Sequence, residues 1–260
     1  MAKLDRLGWT AGISFDAYGQ RFGVRTNDRA LLERLLDRLP PGWKRADSPR
    51  VTHLFSFLSG GAGARPGVRR YHLVYAGSAR LARTLELDAA MRSLESALDL
   101  TLAATARRRV FVRAGVVGWR GRGVLLVGPA GSGQSRLLRA LLEAGGAYLS
   151  NRYAVLDAAG RVHAYPVPLG AGPAGAPPAA ARPLSVGLVL LSRYQPGARW
   201  RPRALSPGQG ALALLGGTVP ARLRPEASLA ALRRAVAAAR IVKGVRGEAE
   251  DVVAWLREDA

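Results

Sequence analysis

A glycine-rich bend between an apolar strand and a helix restricts the fold of this chain more than any other feature. The bend is Gly128-Pro-Ala-Gly-Ser-Gly-Gln-Ser135, preceded by apolar residues 124–127 and followed by a helical pattern over residues 135–144. Glycines at this spacing let successive backbone N–H groups turn toward one centre, and the following helix N-terminus adds about half a positive charge. The sequence therefore predicts an α/β fold containing a strand, an anion-binding loop and a helix.

The loop matches the phosphate-binding pattern G-x-x-x-x-G-K-[ST] at every defined position except one, where Gln134 replaces the lysine. The missing ammonium removes a charged contact to phosphate of about 1.5–3 kcal/mol, and a lost transition-state donor costs about a hundred- to a thousandfold in rate. Ser135 keeps the hydroxyl that would reach Mg²⁺. A plain strand-to-helix turn remains the alternative. The predicted phosphate-binding residues are Gly128, Ala130, Gly131, Ser132, Gly133, Gln134, Ser135 and Arg136.

The chain is strongly basic, with 39 Lys plus Arg against 18 Asp plus Glu over 260 residues and a net charge of +21. Only three of the 39 are lysines, so 36 are arginines, which indicates a GC-rich coding bias. That bias does not explain the scarcity of acidic residues, so polyanion binding stays open. No aromatic residues are interleaved with the basic ones as a base-stacking surface requires. A nucleic-acid-binding protein is therefore kept only as a third hypothesis.

Several classes of protein are excluded or disfavoured by what the chain lacks. It has no cysteine, which excludes disulfides, zinc-thiolate sites and thiol nucleophiles, and three histidines argue against a histidine-only metal site. The N-terminus has no apolar signal stretch, and the longest apolar run, residues 184–191, is far shorter than the roughly 20 residues that span a membrane. We expect a cytoplasmic protein without membrane insertion.

Two domains are predicted, and residues 1–106 form the first, a small α/β cap. Alternating apolar residues on either side of Tyr18-Gly19-Gln20 predict a hairpin, and Asn27-Asp28 offers an N-cap to a leucine-rich helix that stops before Pro40. Strands follow at residues 51–58 and 71–75, and a helix at about residues 84–106.

Residues 107–260 form the second predicted domain, which contains the loop. Apolar strands are expected at residues 110–117 and 124–127, a short strand ending at Ser150, a hairpin around Asp157 to Gly160, and a buried strand at residues 186–191. The Gly/Ala/Pro tract at residues 169–183 is predicted to be a mobile loop. The remainder is predicted to be helical, beginning at Pro207 after Ser206 and divided by two prolines.

Three segments of the second domain carry a resemblance to a known family. They are Val110-Phe-Val-Arg-Ala-Gly-Val-Val-Gly-Trp, the loop, and Tyr148-Leu-Ser-Asn-Arg-Tyr-Ala-Val-Leu-Asp157 with Gly160-Arg-Val-His-Ala-Tyr-Pro. Over residues 109–170 the chain resembles the kinase domain of HPr kinase/phosphorylase, and more closely the HPr-kinase-related proteins of bacteria. The resemblance implies a P-loop fold akin to phosphoenolpyruvate carboxykinase, ATP-dependent phosphorylation of a serine on a small protein, peptide or metabolite, and a homo-oligomer.

The chain departs from the family at the positions that carry the chemistry. Arg113 replaces a histidine, Gln134 replaces the loop lysine, and Asn151-Arg152 replaces an acidic pair that supplies the base and a group near the metal. Asn151 cannot take a proton, and Arg152 repels Mg²⁺. No residue is therefore assigned as catalytic, and Ser135 is a metal ligand only if Mg²⁺ binds.

Arginines near the motif offer partial compensation, because a guanidinium binds phosphate in two-point fashion. The candidates are Arg113, Arg120, Arg122, Arg136 and Arg152, and Arg152 could instead fill the phosphate position or pair with an acid. No residue near the motif substitutes in the same way for the missing carboxylates. Asp157 is expected to close the hairpin with Gly160, Glu143 to face solvent, and His163 to be a packed or hydrogen-bonded strand residue.

Two functions remain ahead of the nucleic-acid hypothesis. The first is a pseudokinase that binds or assembles with a protein or peptide partner, such as an intact kinase or another complex subunit. It would require no cofactor, with ATP or another phosphate anion as an optional ligand. The second is an active ATP-dependent serine kinase with a rearranged site, which would require Mg²⁺.

Overall fold

The computed structural model describes residues 4–61, 70–129, 131–167 and 182–258. The chain divides into two compact units, Met1–Arg107 and Arg108–Ala260, a division one residue from the one expected from sequence. Both units mix helices and strands, so the predicted α/β class is confirmed. Most of the tract expected to be a mobile loop, residues 169–181, lies outside the described residues.

The first unit is one mixed sheet with two helices. Its elements are β1 (Ala11–Ala17), β2 (Gln20–Thr26), α1 (Arg29–Leu36), β3 (Lys44–Arg45), β4 (His53–Leu58), β5 (His72–Ala76), β6 (Ala79–Thr84) and α2 (Leu87–Thr105). The strand order is β3-β1-β2-β4-β5-β6, and among the described strands of this unit only β2 and β4 pair in parallel.

Local sequence signals account for much of this unit. Tyr18 and Gly19 have φ of 49° and 77°, which close the predicted β1–β2 hairpin. The carboxylate of Asp28 accepts the backbone N–H groups of Ala30 and Leu31 at 3.1 and 3.3 Å, so the predicted N-cap of α1 is confirmed. The helix predicted from residue 84 begins instead at Leu87, because residues 79–84 form β6 against β5.

The second unit contains two sheets and the remaining helices. Its elements are β7 (Val110–Arg113), β8 (Gly115–Trp119), β9 (Arg122–Val127), α3 (Gln134–Glu143), β10 (Ala147–Ser150), β11 (Tyr153–Leu156), β12 (Val162–His163), β13 (Val186–Tyr194), β14 (Arg203–Ala204), α4 (Pro207–Leu215), a 3₁₀ turn (Val219–Arg222), α5 (Pro225–Val236), β15 (Arg240–Arg246) and α6 (Ala249–Glu258). The larger sheet has the order β10-β8-β9-β13-β15-β14, and the smaller has the order β12-β11-β7.

The larger sheet is covered on both faces. Alternate residues of β9 enter different apolar clusters: Leu125 packs with helices α4 and α5, whereas Val124 and Leu126 pack with helices α3 and α6. Strands β9, β13 and β15 are parallel, so their carboxyl ends reach the same edge of the sheet. In sheets of this kind, ligands bind outside that edge.

Two predictions for this unit are corrected. The apolar run at residues 110–117 is two strands in different sheets, because the chain crosses from β7 to β8 at Ala114. The C-terminal part is not all helical: Arg240–Arg246 forms β15, which pairs in parallel with β13. The helix predicted to begin at Pro207 is confirmed, with a capping box between Ser206 and Gln209.

Candidate functional site

The glycine-rich loop joins β9 to α3, as the sequence predicts, and close packing explains its glycines. A Cβ at Gly128 would lie 2.5 Å from the Ser192 carbonyl oxygen and 2.6 Å from the Ser132 hydroxyl. Gly131 and Gly133 have φ of 78° and 69°, a region that side-chain-bearing residues rarely adopt. The loop conformation therefore depends on all three glycines.

Helix α3 begins directly at the loop. The Ser132 N–H donates to the Pro129 carbonyl at 3.1 Å, and the first α-helical bond runs from the Leu137 N–H to the Gly133 carbonyl at 3.0 Å. The N–H groups of a first helical turn have no partner within their helix. Ser135 and Arg136 are exposed, so this turn is open to solvent, whereas Ala130 lies outside the described residues.

Gln134 does not direct its side chain into the loop. Its amide nitrogen donates to the carbonyl of Leu126 on β9, and it lies 3.5 Å from the position a Cβ would take at Gly115 on β8. The side chain is thus held against the strands, and only the backbone of Gln134 belongs to the first turn of α3. A lysine at this position would have to leave the strand to reach a phosphate.

The structure brings together three of the positions at which the chain departs from the family pattern. Arg113 at the end of β7 pairs with Tyr153 on β11, and the Ala114 N–H donates to the Arg152 carbonyl at 3.3 Å. Asn151 precedes Arg152, and both are half-buried. Gly115 follows Ala114 and pairs with Leu126 near the end of β9, so the backbone of this group lies near the strand end from which the loop leads to α3.

A buried tyrosine lies between the two arginines and was not singled out from sequence. Burial raises the pKa of the Tyr153 phenol, while the guanidinium charges of Arg113 and Arg152 and a hydrogen bond from Arg113 lower it. The ring packs edge-on against Phe111 and Tyr165 at 5.6 and 5.8 Å. In the sequence Tyr153 adjoins Arg152 alone, and its proximity to Arg113 follows from the pairing of β11 with β7.

Arg246 is the second residue that sequence reasoning missed. It ends β15, has 0% exposure, and donates from Nη2 to the Ser132 carbonyl at 2.9 Å and from Nη1 to the Gly247 carbonyl at 3.0 Å. Its guanidinium carbon lies 5.6 Å from the centre of the Tyr194 ring. Burial lowers the pKa of Arg246, opposed mainly by the charge of Glu248, but an arginine remains protonated.

The other candidate arginines do not all approach the loop. Arg136 forms an exposed ion pair with Glu248 at 2.8 Å. Arg122 begins β9, six residues before Gly128, which places it about 20 Å away along the strand. Arg120 precedes Arg122 in the same β8–β9 turn. Positive charge in place of the missing loop lysine is therefore available from Arg246 and not from the arginines of the β8–β9 turn.

Glu248 reaches the first turn of α3, where Arg136 occupies its carboxylate, whereas Asp157 and Glu143 have other places in the second unit. Asp157 closes the β11–β12 hairpin, as predicted: its carboxylate accepts the N–H groups of Ala159 and Arg161 and contacts His163 Nε2 at 3.1 Å. Burial alone would raise its pKa, but the hydrogen bonds from His163, Arg161 and Ala159 lower the pKa to about 2. Glu143 is exposed on α3, also as predicted.

These groups can bind an anion but do not fit Mg²⁺. Over the described ranges, no group of three or more His, Asp or Glu side chains is placed to hold a metal ion. Arg113 ends β7 and Arg152 precedes β11, where neither side chain can ligate a metal ion, and Gln134 stands where the phosphate-loop pattern has a lysine. A metal-dependent step therefore has no ligand set among these residues.

Comparisons with known proteins leave the family unassigned. The chain matches no protein-family model, no curated protein sequence and no solved structure at a significant level. Within the described residues, no helix combines the length and apolar character needed to cross a bilayer.

Proposed function

We propose that this chain is a catalytically degenerate protein of HPr-kinase-like fold that binds or assembles with a partner and does not transfer phosphate. One observation carries the proposal: the edge beside the loop holds the guanidinium groups of Arg113 and Arg152 beside the Tyr153 hydroxyl. Phosphoryl transfer needs a carboxylate to hold the metal and a base near the attacking hydroxyl. The positive charges of Arg113 and Arg152 repel a metal ion, and neither guanidinium can act as the base.

Asp157 is a poor substitute for the missing base. A general base works best with a pKa near the operating pH, whereas hydrogen bonds hold the pKa of Asp157 at about 2. Its lone pairs are also occupied by the hairpin backbone and by Arg161. The carboxylate therefore stabilises the β11–β12 turn.

The direct test measures transfer of radiolabel from the γ-phosphate of ATP, with Mg²⁺, to the chain, to co-purifying proteins and to water. The expected result is no transfer above a protein-free control. Transfer by the natural chain alone would reject the proposal in favour of an active kinase with a rearranged site.

Calorimetry with ATP tests the same proposal through binding. In the natural chain, Mg²⁺ should not increase ATP affinity, because the Glu248 carboxylate at the start of α3 is paired with Arg136 and no metal-holding group of side chains occurs among the described residues. The triple variant Arg113→His, Gln134→Lys and Asn151→Asp should gain some dependence on Mg²⁺. Tighter binding of Mg-ATP than of ATP by the unaltered chain would contradict the proposal.

Purification of the chain from its native cells tests the assembly role. The expected result is a stoichiometric protein or peptide partner whose association survives about 0.5 M salt, since nonspecific contacts of a +21 chain are screened there. Association only with nucleic acid, lost steeply as salt rises, would instead favour the nucleic-acid hypothesis.

A further inference from the structure

Strand β6 forms one edge of the sheet in the first unit. Its six residues, Ala79–Thr84, pair with β5 on one side, and no described strand pairs with them on the other. The opposite edge of the sheet is β3, which has only two residues. An unpaired strand edge presents backbone N–H and C=O groups to which another chain can add as a further strand. Within the described residues, β6 is therefore the longer edge of this sheet open to such pairing.

The side chains of β6 depart from the usual pattern of a half-buried strand. Leu81 and Leu85, the residue after the strand, are 41% and 48% exposed, and Arg83 between them is also exposed. The smaller residues Ala82 and Thr84 are the half-buried ones, whereas large apolar residues normally face the core. Since alternate residues of a strand share a face, Leu81, Arg83 and Leu85 form an exposed apolar–basic–apolar stripe. Apolar side chains exposed together mark a surface that another molecule covers.

A bulge in β6 separates Leu81 from the neighbouring strand. Tyr75 of β5 pairs with Arg80 and Val74 pairs with Ala82, so Leu81 has no residue opposite it on β5. Because a bulge twists the strand edge locally, regular pairing with an added strand is expected beyond it, at residues 82–84. Leu81 then contributes its side chain and not its backbone to the contact.

This edge of the sheet is positively charged. Arg80 and Arg83 are both exposed, and neither forms an ion pair within the described residues. The guanidinium carbon of Arg83 lies 3.9 Å from the centre of the Tyr71 ring, and the nearest acid in sequence, Glu86, lies beyond the strand at the start of α2. A second copy of the chain would bring the same arginines to the shared edge, where like charges are destabilising. The edge therefore favours a partner with acidic side chains.

We propose that β6 binds an extended, acidic segment of a partner protein as an added strand. Backbone hydrogen bonds to residues 82–84 supply affinity, and alternate side chains supply specificity. An acidic side chain of the partner faces Arg83, and apolar side chains on either side of it contact Leu81 and Leu85. The inference rests on the proposed function for the existence of a partner, and it adds the place where the partner attaches and the chemistry of the attached segment.

Fluorescence anisotropy with a labelled peptide of about eight alternating glutamate and valine residues tests the proposal on the full chain. The peptide should bind with a Kd below about 1 mM. The same peptide with every backbone amide N-methylated keeps its charges and side chains but donates no hydrogen bond, so it should not bind. Absence of binding by the unmodified peptide, or equal binding by both peptides, would overturn the proposal.

Hydrogen exchange locates the bound peptide. The backbone amides of residues 82–84 should exchange more slowly when the peptide is present, because an added strand protects the edge. Protection elsewhere without protection of β6 would place the peptide on another surface and reject the inference. Protection of β6 that increases with protein concentration in the absence of peptide would identify a second copy as the occupant, against an acidic partner.

Arg83→Glu tests the charge preference. The variant replaces an opposite-charge pair with a like-charge pair across the strands, so peptide binding should weaken by about fivefold. The matched control is Arg50→Glu, which reverses an exposed charge between β3 and β4 of the same unit and should change affinity by less than about twofold. Both positions are exposed, so both variants should fold with melting temperatures close to that of the natural chain. Equal weakening in the two variants would reduce the effect to overall charge.

The two proposals fail through different results. Failure of the peptide to bind removes the role of β6 and leaves the absence of phosphate transfer untouched. Phosphate transfer by the natural chain removes the proposed function, whereas binding of the peptide at β6 is measured independently of it.

Discussion

Asp157→Asn tests whether the first acid downstream of Arg152 is structural. The carboxylate is 8% exposed and accepts hydrogen bonds from two backbone N–H groups, Arg161 and His163. These bonds lower its pKa from 3.8 to about 2, which corresponds to about 2 kcal/mol of folding free energy for the second unit. The variant should lose about that amount at pH 7 in a urea titration followed by circular dichroism.

The lowered pKa of Asp157 determines how the stability difference between the two proteins should change with pH. A carboxyl whose pKa is lowered by folding contributes its full stabilisation above the unfolded value of about 3.8 and loses it as the pH falls toward about 2. The gap in stability between the natural chain and Asp157→Asn should therefore be constant from pH 5 to 7 and close between about pH 4 and 2.

A matched control separates this effect from the general loss of a surface acid. Asp16→Asn removes a carboxylate that also pairs with an arginine but is 44% exposed, and its effect should be well under 1 kcal/mol. Equal stability of Asp157→Asn and the natural chain at pH 7, or a gap that persists at pH 2, would refute the assignment.

Three further predictions concern the loop and its neighbours. Gly133→Ala should destabilise the second unit by about 1–3 kcal/mol in urea, more than Gly197→Ala, since both have positive φ but only Gly133 lies against Arg246. Tyr153→Phe should lower the melting temperature by a few degrees, because Arg113 loses its acceptor. Burial raises the pKa of Tyr148 to about 12, so the natural chain should lose stability between pH 10 and 12, and Tyr148→Phe should lose less there.

Features specified by neighbouring residues were predictable from the sequence. The hairpin at Tyr18-Gly19, the N-cap at Asp28 and the helix start at Pro207 each depend on contacts within a few residues. Part of the loop was predictable for the same reason, because Gly131 and Gly133 are required by their own positive φ. The hairpin at Asp157 also formed as expected.

Features that depend on distant pairing were missed. Residues 110–117 are apolar except for Arg113, because both β7 and β8 are largely buried, and one charged residue does not reveal the change of sheet at Ala114. Strand β6 is largely exposed and ordered by pairing with β5. Strand β15 pairs with β13, about 50 residues earlier in the chain, and no local pattern reports such pairing.

The missed strand also explains why the site was only partly predicted. Without β15, Arg246 is one of 36 arginines with nothing to distinguish it. Its burial and its contact with Ser132 follow from the position of β15 beside β13. The sequence also gives no sign of the direction of the Gln134 side chain. Its acceptor is the Leu126 carbonyl, which comes within reach only because α3 packs on β9.

The two carbonyl contacts of Arg246 have a mechanical consequence. One guanidinium joins the turn before α3, through Ser132, to the turn before α6, through Gly247. The two helices share an apolar cluster, and Arg136 and Glu248 add a second link between their first turns. A protein that presses on the start of α6 would therefore shift the glycine-rich turn with it, so that docking at one helix would be transmitted to the other through these two links.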